Sequence, residues 1–206
     1  MKKLPRKNCG LCGLKTCEDL AQSIAKDPDA IKRCVQLSCL PSEKVSEQFS
    51  EVTWKDSLDR EYDFILDKLP EDIAPRETIL PFNPTKIKSL NIKKGDILYG
   101  RPMTAGCPIT HVGIVVEEPD YFNGTITWCI VGPLHARQNK STNIGYYTPI
   151  AFQGIVKFTR KELTIGMRYY FLPRYCMSQW RHSGIINQIT KTSDGTRIRI
   201  EGISIA

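Results

Sequence analysis

The chain has 206 residues, of which 41% are hydrophobic and 25% charged, values that support a packed core and exclude a low-complexity or disordered chain. No run approaches the roughly 18 consecutive apolar residues of a membrane span, and no apolar run of signal-peptide length follows the basic start MKKLPRKN, so a cytoplasmic protein is expected. The net charge of +7 is spread along the chain without a basic run or recognition-helix pattern, which favours a solvated basic surface over nucleic-acid binding.

The eight cysteines are distributed unevenly: Cys9, Cys12, Cys17, Cys34 and Cys39 lie in the first 39 residues, and Cys107, Cys129 and Cys176 are scattered. In a reducing compartment such crowding points to metal binding or redox chemistry before structural disulfides. The stretch NCGLCGLKTCEDLAQ leads from this cluster into a predicted helix over CEDLAQSIAK, with acids in its first turn and Leu20, Ile24, Ala21 and Ala25 on one face. Asp27-Pro28 breaks that helix, and a second short helix is predicted through DAIKRCVQL, with Pro28 at its start.

The spacing is Cys9-x2-Cys12-x4-Cys17, then sixteen residues, then Cys34. A [4Fe–4S] cubane needs four thiolates. A tight loop delivers three, because Gly10 and Gly13 permit positive φ and turn backbone N–H groups toward sulfur; the helix and its return segment bring back Cys34. A unit of about 40 residues buries too little apolar surface to fold without a metal or disulfide. Residues 1–39 hold eight Lys/Arg against four Asp/Glu, a balance of +4 that would offset the charge of about −2 on an oxidised four-thiolate cubane. The competing reading is a zinc site on the same thiolates, but there is one C-x2-C knuckle and no histidine in the first 110 residues. Cys39 reads as a buried small residue, with replacement of Cys34 as ligand the alternative.

CGLCGLKTC with the distant Cys34 resembles the small four-cysteine iron–sulfur domain of the corrinoid iron–sulfur protein large subunit and of the B subunit of Rnf electron-transport complexes. The resemblance covers about residues 4–40. It implies one [4Fe–4S] cluster held by Cys9, Cys12, Cys17 and Cys34, low-potential electron transfer, and a corrinoid- or one-carbon-linked redox partner in anaerobic metabolism.

Between residues 43 and 90 a connecting segment is expected. It holds a helical excursion from Ser42 to Phe49, a hairpin in VTWKDSLDREYDFIL around a polar SLDR turn, and a proline-rich stretch, PEDIAPRETILPFNPTK. Beyond it, IKKGDILYG, HVGIVVEE, TITWCIVG, QGIVKFT, MRYYFLP and RIRIEGISI read as short strands. Turn signals at Lys94-Gly95, Asn123-Gly124 and Asp194-Gly195 divide them, and the spacing suits a small barrel or sandwich.

Two stretches of this half carry special residues. In GRPMTAGCPITHVGIV, Cys107 and His111 could ligate a metal or form an activated thiol, or be a buried cysteine and a backbone-bonded histidine in a tight turn. In RYYFLPRYCMSQWRHSG, Arg174, Trp180, Arg181 and His182 are candidates for a partner-binding surface, because arginine interleaved with aromatics binds phosphate, bases or protein. The simpler reading is a strand with aromatics inward and arginines outward.

The expected fold is α+β: a small helical [4Fe–4S] domain over 1–42, the connecting segment over 43–90, and a mainly β domain over 91–206. The expected function is delivery of single electrons to a redox partner protein. The alternatives are a cluster-dependent reductase with its active site around Cys107 and His111, and a redox-sensing regulatory binder.

Overall fold

The structure, a computed structural model, describes residue 4 and residues 12–34, 53–103 and 106–205. The chain divides into two compact units, Met1–Thr53 and Trp54–Ala206. The expected excursion from Ser42 to Phe49 lies outside the described residues.

In the first unit, helix α1 spans Cys17–Lys26, as its sequence predicts. Thr16 caps it: its hydroxyl accepts from the Asp19 N–H at 3.1 Å, and the Asp19 carboxylate accepts from the Thr16 N–H at 3.0 Å. Asp27 ends the helix, and a 3₁₀ turn over Pro28–Arg33 packs against it. The buried stripe is narrower than expected. Leu20 is buried and Ile24 half-buried, whereas Ala21 and Ala25 are exposed. The stripe runs instead through Cys17, Leu20 and Ile24, at i, i+3 and i+7.

The second unit is sheet-rich. Among the described residues it has nine strands: β1 (Phe64–Asp67), β2 (Arg76–Pro81), β3 (Ile97–Pro102), β4 (His111–Val115), β5 (Ile126–Val131), β6 (Ser141–Thr159), β7 (Arg168–Pro173), β8 (His182–Thr192) and β9 (Gly195–Ile205). Two one-turn helices, α2 (Thr85–Ser89) and α3 (Leu134–Gln138), join strands. The strand order is β1-β7-β8-β9-β6-β2-β5-β4-β3, and additional β1–β6 and β3–β6 pairings close it on itself. The 19-residue β6 therefore belongs to two closed circuits of strands, one through β1, β7, β8 and β9, the other through β2, β5, β4 and β3.

Each circuit encloses its own core. Phe64, Leu66, Phe152, Phe171, Ile186 and Ile200 pack in the first; Ile79, Leu98, Val115, Ile126, Trp128 and Tyr147 pack in the second, with Ile87 and Ile92 beneath. β6 changes circuit at a bulge. Thr78 faces Ala151 while Ile79 faces Pro149, leaving Ile150 as the extra residue.

The stretch expected to connect two domains is thus part of the sheet, because β2 is hydrogen-bonded on both sides, to β5 and β6. The SLDR turn forms, but its hairpin is one isolated Lys55–Glu61 bridge before β1. Gly95, Gly124 and Gly195 all take positive φ, at 92°, 71° and 134°, as their turn signals require. Among the described residues no helix is long and apolar enough to cross a membrane.

Candidate functional sites in the two units

In the first unit, Cys12 and Cys17 are half-buried and Cys34 is buried; Cys9, Gly10 and Cys39 lie outside the described residues. Gly13, directly after Cys12, takes φ +82°, the backbone state that lets a loop fold around a cluster. Cys17 opens α1, where the helix dipole favours bound negative charge. Cys34 follows the return turn, its N–H donating to the Ile31 carbonyl at 3.1 Å. Three thiols on a glycine turn, a helix start and a return turn fit an iron–sulfur group in donor chemistry. Among the described residues no three His, Cys, Asp or Glu side chains converge as a metal-holding group, so Cys12, Cys17 and Cys34 are not drawn together on one point.

In the second unit, a cavity of about 540 Å³, solvent at its mouth included, opens between the two circuits. It gathers most of the chemistry-bearing residues of this half: Cys107, His111, Cys176 and His182, with Arg174 and Trp180 in its wall. Ile109, Ile130, Phe152, Met177 and Ile205 supply much of the remaining lining.

His111 opens β4, opposite Gly100 of β3. Its Nε2 lies 3.5 Å from the Cys107 sulfur, and its Nδ1 lies 2.6 Å from the Tyr147 hydroxyl. Tyr147, on β6, is fixed by the edge of Trp128, with ring centroids 5.3 Å apart. The Trp128 Nε1–H donates to the Glu77 carboxyl at 2.7 Å. Gly113 of β4 makes room for this array, since a Cβ there would come within 3 Å of the Trp128 ring carbons. Burial pushes His111 down to about 4 and Glu77 up to about 8, so both are neutral near pH 7. Burial also raises the Cys107 thiol, against an opposing hydrogen bond from the Ile109 backbone.

His182 is the fourth of the candidate partner-binding residues, and the structure corrects its place. It is buried, 4% exposed, between Phe152 and Phe171. Its Nδ1–H donates to the Trp180 carbonyl at 2.9 Å, which leaves the lone pair on Nε2, and burial pushes it down to about 4. Arg174 pairs with Asp67 at 3.1 Å, while Arg181 lies 3.9 Å over the Tyr170 ring and donates to the Glu61 carbonyl. In β7 itself the simpler reading holds: Tyr169 and Phe171 point inward and Tyr170 outward.

One cavity wall is the loop after β7, where Tyr175 and Gln179 take positive φ. The turn at residues 56–60 braces it. Ser57 donates through its hydroxyl to Ser178 O and through its N–H to Gln179 O, and the buried Asp56 carboxylate accepts from the N–H of Arg181. Asp56 also accepts from the Leu58 and Arg60 N–H groups and from the Arg60 guanidinium. Burial works to raise its carboxyl, but these donors together hold it well below the usual carboxylate range. Sequence reading missed Asp56, Tyr147, Cys176 and Glu77 because each enters only through tertiary pairing. Cys129, fully buried and donating to the Ala74 carbonyl at 3.2 Å, is raised to about 12 and serves packing.

Residues 4–36 match the family model described as "Putative Fe-S cluster". The chain is 30% identical over 219 positions to "Uncharacterized protein MJ0119" of Methanocaldococcus jannaschii, an alignment covering 99% of this chain and 91% of that protein. No solved structure matches the chain.

Proposed function

Because the chain belongs to the family of Methanocaldococcus jannaschii MJ0119 and carries an iron–sulfur segment over residues 4–36, we propose that it is a one-electron carrier built on a [4Fe–4S] cluster. The supporting observation is that Cys12, Cys17 and Cys34 fall within the matched segment at a glycine turn, a helix start and a return turn. Cys9 completes the thiolate set. A bound cluster of this kind supplies reversible single-electron chemistry.

The protein's own residues hold and tune it. Gly13 supplies the turn that lets the loop fold back, and the first-turn N–H groups of α1 offset thiolate charge. The excess of Lys and Arg in residues 1–39 adds to that offset. The partner in this reading is a redox protein, and the resemblance to the corrinoid iron–sulfur and Rnf domains supports an anaerobic, corrinoid- or one-carbon-linked setting.

Anaerobic isolation tests this. About four irons and four sulfides per chain, with reversible one-electron bleaching, are expected. Cys12→Ser should lower both contents, while Cys107→Ala should leave them and the electron uptake unchanged. A folded, colourless protein with no iron, or with one zinc, would overturn the proposal.

A further inference from the structure

The cavity of the second unit holds a thiol and an imidazole in the arrangement that nucleophilic catalysis requires. The base stands within reach of the nucleophile, and a third group orients the base. We propose that Cys107, His111 and Tyr147 form a second reactive centre, in which the Cys107 thiol accepts an acyl group from an ester or thioester seated in the apolar cavity.

The centre works from the tautomer of the neutral imidazole that carries its proton on Nδ1, donated to the Tyr147 oxygen at 2.6 Å, with Nε2 facing the thiol at 3.5 Å. The Nε2 lone pair then accepts the S–H. The resting pair is uncharged, as its burial demands, so the proton moves as the substrate bond forms. The Sγ–C bond forms, the S–H proton passes to Nε2, and the bond from the acyl carbon to the departing oxygen or sulfur breaks. The imidazolium returns its proton to that leaving atom. No electron is gained or lost, and the acyl group rests on Cys107 as a thioester until water or another nucleophile removes it.

The lining selects the substrate class. Ile109, Ile130, Phe152 and Ile205 accept an apolar body, and a carbonyl brings no charge. A phosphoryl group would need cationic partners, but the lining arginine, Arg174, is engaged by Asp67 at 3.1 Å. A metal needs more donors than this pair, and among the described residues no three converge. The proposal is independent of the iron–sulfur reading, since all its residues lie in Trp54–Ala206.

The test uses the full-length, cluster-loaded protein with p-nitrophenyl butyrate, read by intact mass, peptide mapping and nitrophenolate release. One butyryl group on the Cys107 peptide, released with one nitrophenolate per chain, is expected. Cys107→Ala and Cys107→Ser should both lose it while keeping native tryptophan emission. His111→Gln should acylate about 100-fold more slowly. Tyr147→Phe should slow acylation less and shift its pH profile, as befits a positioning residue. Acylation spread over other cysteines and unchanged in Cys107→Ala would overturn the proposal. So would one zinc per chain lost in Cys107→Ala, or a Cys107–Cys176 cross-link in place of acylation.

Discussion

The two units reach order by different means. In the first, Leu20, Ala30 and Cys34 are the fully buried apolar residues among those described. Full burial of a leucine contributes roughly 1.5–3 kcal/mol, while ordering each residue's backbone costs about 1–2 kcal/mol, so apolar burial among these described residues falls far short of the cost of ordering them. In the second, two cores are sealed inside closed circuits of strands, and Trp128, Tyr147, Phe64 and Phe171 are almost wholly removed from water. On the proposed function the first unit is held by what its thiols bind, while the second is held by its own side chains. The three tryptophans, Trp54, Trp128 and Trp180, all lie in the second unit, so their emission reports that unit alone.

The largest effect should come from taking the cluster away. Anaerobic chelation or Cys34→Ser should abolish ordered structure in the first unit, read as lost amide protection over residues 17–33, with tryptophan emission unchanged. If α1 stays protected in iron-free protein, the contrast between the units fails. Next comes Asp56→Ala, which strips the acceptor from Leu58, Arg60 and Arg181 at a side chain fully removed from water. A cost of about 3 kcal/mol is expected, seen as a lower urea midpoint by tryptophan emission, with iron content unchanged. Gly113→Ala should follow at about 1–3 kcal/mol, because the new methyl displaces Trp128 and with it Tyr147. A Gly113→Ala midpoint equal to that of the parent would show that the ring is not packed as described.

The contrast also explains what the sequence could disclose. Helix α1 was legible to the residue, because the acids of its first turn and the break at Asp27-Pro28 are local signals. So were the turns at Gly95, Gly124 and Gly195, since positive φ is a property of one residue. Cys107 and His111 were readable as a pair because a short loop returns one beside the other. β2 was hidden by its prolines and by Arg76 and Glu77, whose place in a central strand depends on partners 51 to 77 residues away. β8 was hidden by its outward Asn187, Gln188 and Lys191. His182 looked like part of a surface because arginine and aromatic residues surround it in sequence, yet its ring faces Phe152 across the fold.

The smallest and most selective test concerns Glu77, whose carboxyl is buried and raised from 4.5 to about 8. Between those values the unfolded chain has lost this proton and the folded one keeps it. Stability from this group is therefore full below pH 4.5 and falls as pH rises toward 8, by up to about 1.4 kcal/mol per unit. His111 and His182 act in the opposite sense. Each is held near 4 against 6.5 unfolded, so the folded state gains stability as pH rises from 4 to 6.5 and nothing above it. Together these three groups place the stability maximum of the second unit near pH 6.5, with a decline toward pH 8 that belongs to Glu77. Glu77→Gln keeps a carbonyl oxygen for the Trp128 N–H and cannot ionise. Urea unfolding of the variant, followed by tryptophan emission, should show no decline between pH 6.5 and 8, while the rise below 6.5 persists. A variant that declines as steeply as the parent would mean that Glu77 is ionised in the folded protein, and that the core around Trp128 admits charge.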